Sequence, residues 1–126
     1  MLLSQASAAT CTSLLAPLSA AATANATSGS GKWLDVRVYD GEILVTQILG
    51  AVTGTIAGKL QYASDANGTG ATDITGATFA TNTANSTSKL AVDPKTVIGG
   101  FLGYVGTIAT GPSLVGVVAC GKLKVV

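Results

Sequence analysis

The sequence predicts an all-β chain: a single antiparallel β-sandwich, jelly-roll or Ig-like, of about eight strands. Three observations predict it. Bulky apolar residues alternate with small or polar ones over short runs, the period of a strand with one buried face. The runs are separated by turns that contain Gly, Asp or Asn-Gly. The 126 residues are 48% hydrophobic yet only 10% charged, so the remaining surface is built from Thr, Ser, Asn, Ala and Gly. That length suits one domain, divided by composition into an extended N-terminal arm over residues 1–31 and a sandwich over residues 32–126.

The arm carries no charged side chain before Lys32, and Pro17 interrupts its apolar cluster Leu14-Leu15-Ala16-Pro17-Leu18. A secretory signal needs a basic start and an unbroken apolar centre, which this segment lacks. Ala24–Gly31, ANATSGSG, has too little apolar mass to fold alone and reads as a flexible lead-in. The arm is expected to order on assembly, with Leu14, Leu15, Pro17 and Leu18, and Trp33 just beyond it, as assembly contacts.

Trp33–Val38 alternates apolar residues with Asp35 and Arg37 and predicts a half-buried strand. Tyr39-Asp40-Gly41-Glu42 predicts a turn, because Asp bonds its own backbone and Gly accepts a positive φ. Glu42–Ile48, EILVTQI, predicts a strand buried on most of both faces. After a turn near Ala51–Gly54, Thr55–Ala63 alternates again, so the three strands are expected to form an up-down-up meander. Asn67-Gly68 in SDANGTGAT is a hairpin signal. Its alternating oxygens suit a polar turn better than an EF-hand, since the twelfth loop position is Gly76 rather than Glu. Asp73–Phe79 returns as a strand with a bulge at Gly76 and Ala77, which accounts for the unlike parity of Ile74 and Phe79. Lys89–Asp93 is a short strand stopped by Pro94.

From Thr96 to Gly121 there is no charge, enough length for a membrane-spanning helix. Gly111-Pro112 splits the run, and Gly, Val, Thr and Ile dominate it, so two core strands joined by Ala109–Ser113 are expected. The last of them ends where Lys122 and Lys124 alternate with Leu123 and Val125.

The composition excludes several function classes. A net charge of +1 with scattered Lys and Arg provides no field to gather nucleic acid. With no His, the commonest general base and zinc ligand is missing, and no phosphate-cradling Gly-rich loop occurs. The nearest carboxylates, Asp35, Asp40 and Glu42, flank one turn and read as solvated charges. No catalytic, cofactor-binding or metal-ligating residue is assigned. Cys11 and Cys120 are too few for a disulfide scaffold and are expected as free buried thiols, a bridge being the alternative. So little charge leaves copies weakly repelled, which predicts a component of an assembly.

The order of features resembles a group of small tailed-bacteriophage virion proteins, the capsid decoration or cement proteins and related head-surface proteins. The likeness runs from Leu15-Ala16-Pro17 and the Ser/Thr-rich lead to Gly31, through Trp33–Gly41, then Gly54–Gln61 and Asp73–Phe79, to Tyr104-Val105-Gly106-Thr107. The resemblance implies a β-sandwich on the outer surface of an icosahedral head, bridging major capsid protein subunits, often as a homotrimer. It implies a protein made in the host cytoplasm and resident in the virion, with no enzyme activity, cofactor, nucleic acid or membrane partner. Alternatives are a tail or fibre-base β-module, a small membrane-active protein using Thr96–Gly121, and a carbohydrate-binding sandwich whose aromatic platform would come from Trp33 and the tyrosines.

Overall fold

The computed structural model describes residues 9–15, 26–50, 52–109 and 113–124. Their strands are β1 (Ala9–Leu15), β2 (Ala26–Thr27), β3 (Leu34–Asp35), β4 (Tyr39–Gly50), β5 (Thr55–Ala63), β6 (Thr72–Thr78), β7 (Ser86–Val92), β8 (Phe101–Ala109) and β9 (Leu114–Leu123). One sheet runs β1-β9-β4-β7; the other runs β2-β8-β5-β6, with β3 also on β8. All ladders are antiparallel. The chain is therefore the all-β sandwich that the alternation predicts.

The pairing is nested: β1 with β9, β2 and β3 with β8, β4 with β7, and β5 with β6. It is the pattern of one long hairpin folded across itself, and the extra ladders β4·β9 and β5·β8 complete the two sheets. This is jelly-roll order. The tip of the long hairpin is the loop at Asn67-Gly68, where Gly68 and Gly70 take φ of 82° and 68°.

The core lies between the sheets. Ile43, Val45, Leu49, Val115, Val117 and Ala119 point in from one side, and Ile56, Leu60, Leu102, Tyr104 and Ile108 from the other. Burial alternates along β9, as it must when one face of a strand meets the core and the other leaves it. In β6, residues 74–77 stand opposite the single residue Leu60, so the expected bulge is present and both Ile74 and Ala77 turn inward.

Several expectations need correction. The meander does not form: β3 pairs with β8 and β4 with β9 and β7, while β5 returns to the sheet of β8. Turn residues mark a reversal but do not say whether the chain pairs with itself or arches across to the facing sheet. The strand expected over Trp33–Val38 is only Leu34–Asp35, because Asp35 accepts the backbone N–H of Arg37 at 3.0 Å and starts a 3-10 turn over Val36–Val38. The turn expected at Tyr39–Glu42 lies inside β4 as an irregularity between Asp40 and Leu44, with Gly41 at φ 81°. β4 is buried on one face, not both.

The boundary at residue 31 also moves. β1 is a full ladder of the sandwich, Leu14 is in the core at 1% exposure, and β2 pairs with β8. Ser28 fastens the two sheets here: its hydroxyl donates to the Leu14 carbonyl at 2.8 Å and accepts the Tyr104 N–H at 2.9 Å. The alternation that marks later strands is weak in ATCTSLL, which hid β1. Finally, Cys11 and Cys120 are not free buried thiols. They are directly opposed in the β1·β9 register and form a disulfide on the outer face, Cys11 exposed and Cys120 half-buried.

Candidate assembly interface

Sheet alternation decides which side chains a partner can meet. On β4 the outward residues are Leu44, Thr46 and Ile48, and opposite them on β9 stand Cys120, Val118 and Gly116. Leu44 is 40% and Ile48 49% exposed, large values for such side chains. Ser13, Ile48, Gly50, Leu114, Gly116 and Val118 line a shallow groove of about 270 Å³ in this face. Across from Leu44, Thr46 and Ile48 on β7 and β9 the one charged partner is Lys89, while Asp40 opposite Lys122 brings charge to one end of the same sheet. Leu44 and Ile48 with Leu114 and Val118 thus make an apolar patch on an outer sheet face, the kind of surface that binding sites use.

A signal for this face was present in the sequence. A sandwich strand has one inward and one outward side, so an uncharged strand apolar in both parities, such as Leu114–Cys120, must leave an apolar outer side. Reading such strands as buried on both faces missed Leu44, Ile48, Leu114 and Val118.

The residues expected as contacts are placed differently. Leu14 is spent on the core. Leu15 ends β1 opposite Val117, and Pro17 and Leu18 lie outside the described residues. Trp33 is 6% exposed, held against the outward side of Gly103 on β8 and against Gly68, where a Cβ would stand 2.8 Å from the indole. Gly31 and Trp33 both donate backbone N–H groups to the Ala66 carbonyl, which ties this segment to the hairpin tip. Trp33 thus pins the loop to the sheet within the chain.

The charged groups are local. Arg37 pairs with Asp35 at 2.9 Å and lies over the Phe101 ring; the Arg37 side chain holds the Asp35 carboxyl below its ordinary range. Asp65 accepts the Thr69 hydroxyl at 2.7 Å and the backbone N–H groups of Asn67 and Thr69, which lower its pKa. Asp73 accepts from Gln61 at 2.7 Å and Lys59 at 3.0 Å, with the same effect. Asp40, Glu42, Asp93, Lys95 and Lys124 line a cleft of about 410 Å³ at one end of the sandwich. Among the described residues no three His, Cys, Asp or Glu gather to hold a metal ion.

Inside, the Tyr104 hydroxyl donates to Gln47 Oε1, and both side chains are fully buried. Gln47 Nε2, Ser86 Oγ and Ser113 Oγ are buried with no hydrogen-bond partner among the described residues. Burial pushes the Tyr104 phenol far above its ordinary range.

Thr96–Gly121 is not a spanning helix. Its described part is strands β8 and β9 with their approaches, and no helix among the described residues is long and apolar enough to cross a membrane. The fold and this face define a two-sheet β-sandwich of jelly-roll order with an apolar outer sheet. Comparison with known proteins finds no family model and no curated sequence that matches the chain.

Proposed function

We propose that the chain is a structural virion protein that works as an oligomer on the outer surface of a tailed-phage head, bridging neighbouring major capsid protein subunits. The observation that carries the reading is the apolar outer face of β4 and β9, where Leu44 and Ile48 stand exposed beside Leu114 and Val118. A lone soluble domain gains nothing from that face, whereas a protein covered by neighbours buries it. Viral shells are one of the settings in which jelly rolls recur, although the fold by itself hosts many functions. The cross-strand disulfide suits a protein made reduced in the host cytoplasm and oxidised once the particle is released.

The lectin alternative loses most of its platform, since Trp33, Tyr39 and Tyr104 are buried and Tyr62 is half-buried. A tail or fibre-base module would use the same sandwich, and location in the particle separates the two readings. The test is addition of the purified chain to phage heads that lack it, followed by sedimentation and by the temperature at which the heads release DNA. Binding with a raised release temperature is expected, and Ile48→Asp abolishes both while the isolated chain keeps its fold. A chain that stays in the supernatant, or an Ile48→Asp variant that binds as well as the parent, contradicts the proposal.

A further inference from the structure

We propose that the outer edge of β1 pairs with the same edge of a second copy, antiparallel about a two-fold axis, fusing two four-stranded sheets into one continuous sheet. The inference is independent of the virion reading and concerns how copies meet.

A sheet edge is a row of unpaired N–H and C=O groups, and natural proteins guard such edges with charge, proline, bulges or short strands. Among the described residues this sandwich has four edges, and three are guarded. β7 carries Lys89. β6 is interrupted at residues 74–77, with Gly76 at φ 78°, and carries Asp73. On β8 the edge is split into the two-residue strands β2 and β3, with Ser28–Trp33 between them. β1 is the least guarded. Its seven residues, Ala-Thr-Cys-Thr-Ser-Leu-Leu, include no charge, proline or glycine, and its one irregularity, between Ser13 and Leu15, leaves Ala9–Ser13 in unbroken register with β9.

The backbone is turned the right way. Cys11 and Cys120 have Cα atoms 4.0 Å apart, which marks a non-hydrogen-bonded pair, since hydrogen-bonded pairs stand about 5.5 Å apart. The N–H and C=O of Cys11 therefore point away from β9. By alternation those of Ser13 do too, while Thr10 and Thr12 face β9. The disulfide holds this edge in place as a template.

A second copy is the occupant that fits. A two-fold contact sets each edge against itself, which penalises charge on it, and β1 has none. The strand is also self-complementary, because a register centred on Cys11 places Thr10 opposite the second copy's Thr12. The groove of Ser13, Ile48, Leu114 and Val118 begins at this edge, so pairing carries the apolar face across the axis as one surface. The smallest assembly is then a two-fold dimer rather than the homotrimer that the resemblance implies.

Light scattering on the oxidised full chain tests this. Twice the chain mass is expected, and Ser13→Pro, which removes an outward N–H but none of the β9 ladder, is expected to give a monomer with an unchanged circular dichroism spectrum. A parent chain that is monomeric at every concentration, or a Ser13→Pro variant that remains dimeric, overturns the proposal. Should Ser13→Pro fail to fold, amide exchange on the parent decides. Protection at Cys11 and Ser13 that rises with concentration to match Thr10 and Thr12 supports edge pairing, and free exchange at Cys11 and Ser13 refutes it. A dimer that does not bind phage heads leaves this inference standing and sinks the proposed function instead.

Discussion

The Trp33 indole packs on Gly103, the one position of β8 where the outward face has no side chain to displace it. A Cβ on Gly103 would collide with the indole ring, so Gly103→Ala must either lift Trp33 or shift the strand. Overpacking of this kind costs about 1–3 kcal/mol. Chemical denaturation of Gly103→Ala is expected to show that loss, with tryptophan fluorescence shifted to the red as the ring meets water.

The buried Tyr104–Gln47 pair makes a second prediction. Tyr104→Phe leaves both polar ends of Gln47 buried without a partner, at a cost of about 1–3 kcal/mol. Replacing both residues, Tyr104→Phe with Gln47→Leu, removes the unpaired groups together and is expected to recover most of the loss. A double-mutant cycle by urea denaturation measures the coupling, and additive losses would show that the pair does not act as one unit.

Reduction of Cys11–Cys120 opens a closure of 109 residues in sequence separation. The entropy returned to the unfolded chain corresponds to a stability loss of up to about 5 kcal/mol, with about 2–4 kcal/mol the usual measured range for disulfides. Thermal melts with and without reductant are expected to separate accordingly, and the Cys11→Ser, Cys120→Ser double variant should melt with the reduced chain and ignore reductant.

Stability should be flat near neutrality and fall at both extremes of pH. Asp35, Asp65 and Asp73 have folded pKa values depressed by Arg37, by Thr69, and by Gln61 with Lys59 respectively. Their contribution is present above the unfolded carboxylate value, near 3.8, and is lost as pH falls through the lower folded values. Tyr104 runs the other way: its folded pKa is raised by burial, so its contribution is full below the unfolded value of 10.0 and is lost as pH rises beyond it. Melting temperatures against pH are expected to show both limbs. Tyr104→Phe should blunt the alkaline limb, and Asp73→Asn should weaken the acid one.

Local structure was legible where one residue type answers one backbone demand. Asn67-Gly68 marked the β5–β6 loop and Gly76 the bulge. Partnership was not legible. Gly41 and Gly54 both accept a positive φ, and neither reveals that β3, β4 and β5 switch sheets at every step. Cys11 and Cys120 meet only because the first and last strands are neighbours, a fact of topology that spacing does not encode. Trp33 read as a contact residue because its partners, Gly68 and Gly103, have no side chains for a pattern to register.

The most direct test of the proposed role is a cryo-microscopy reconstruction of the particle produced in cells that make this chain. The account predicts jelly-roll density on the outside of the head, seated between major capsid subunits, with Leu44, Ile48 and Val118 covered by a neighbour. Density confined to the tail, or a head whose surface lacks it, would contradict the assignment.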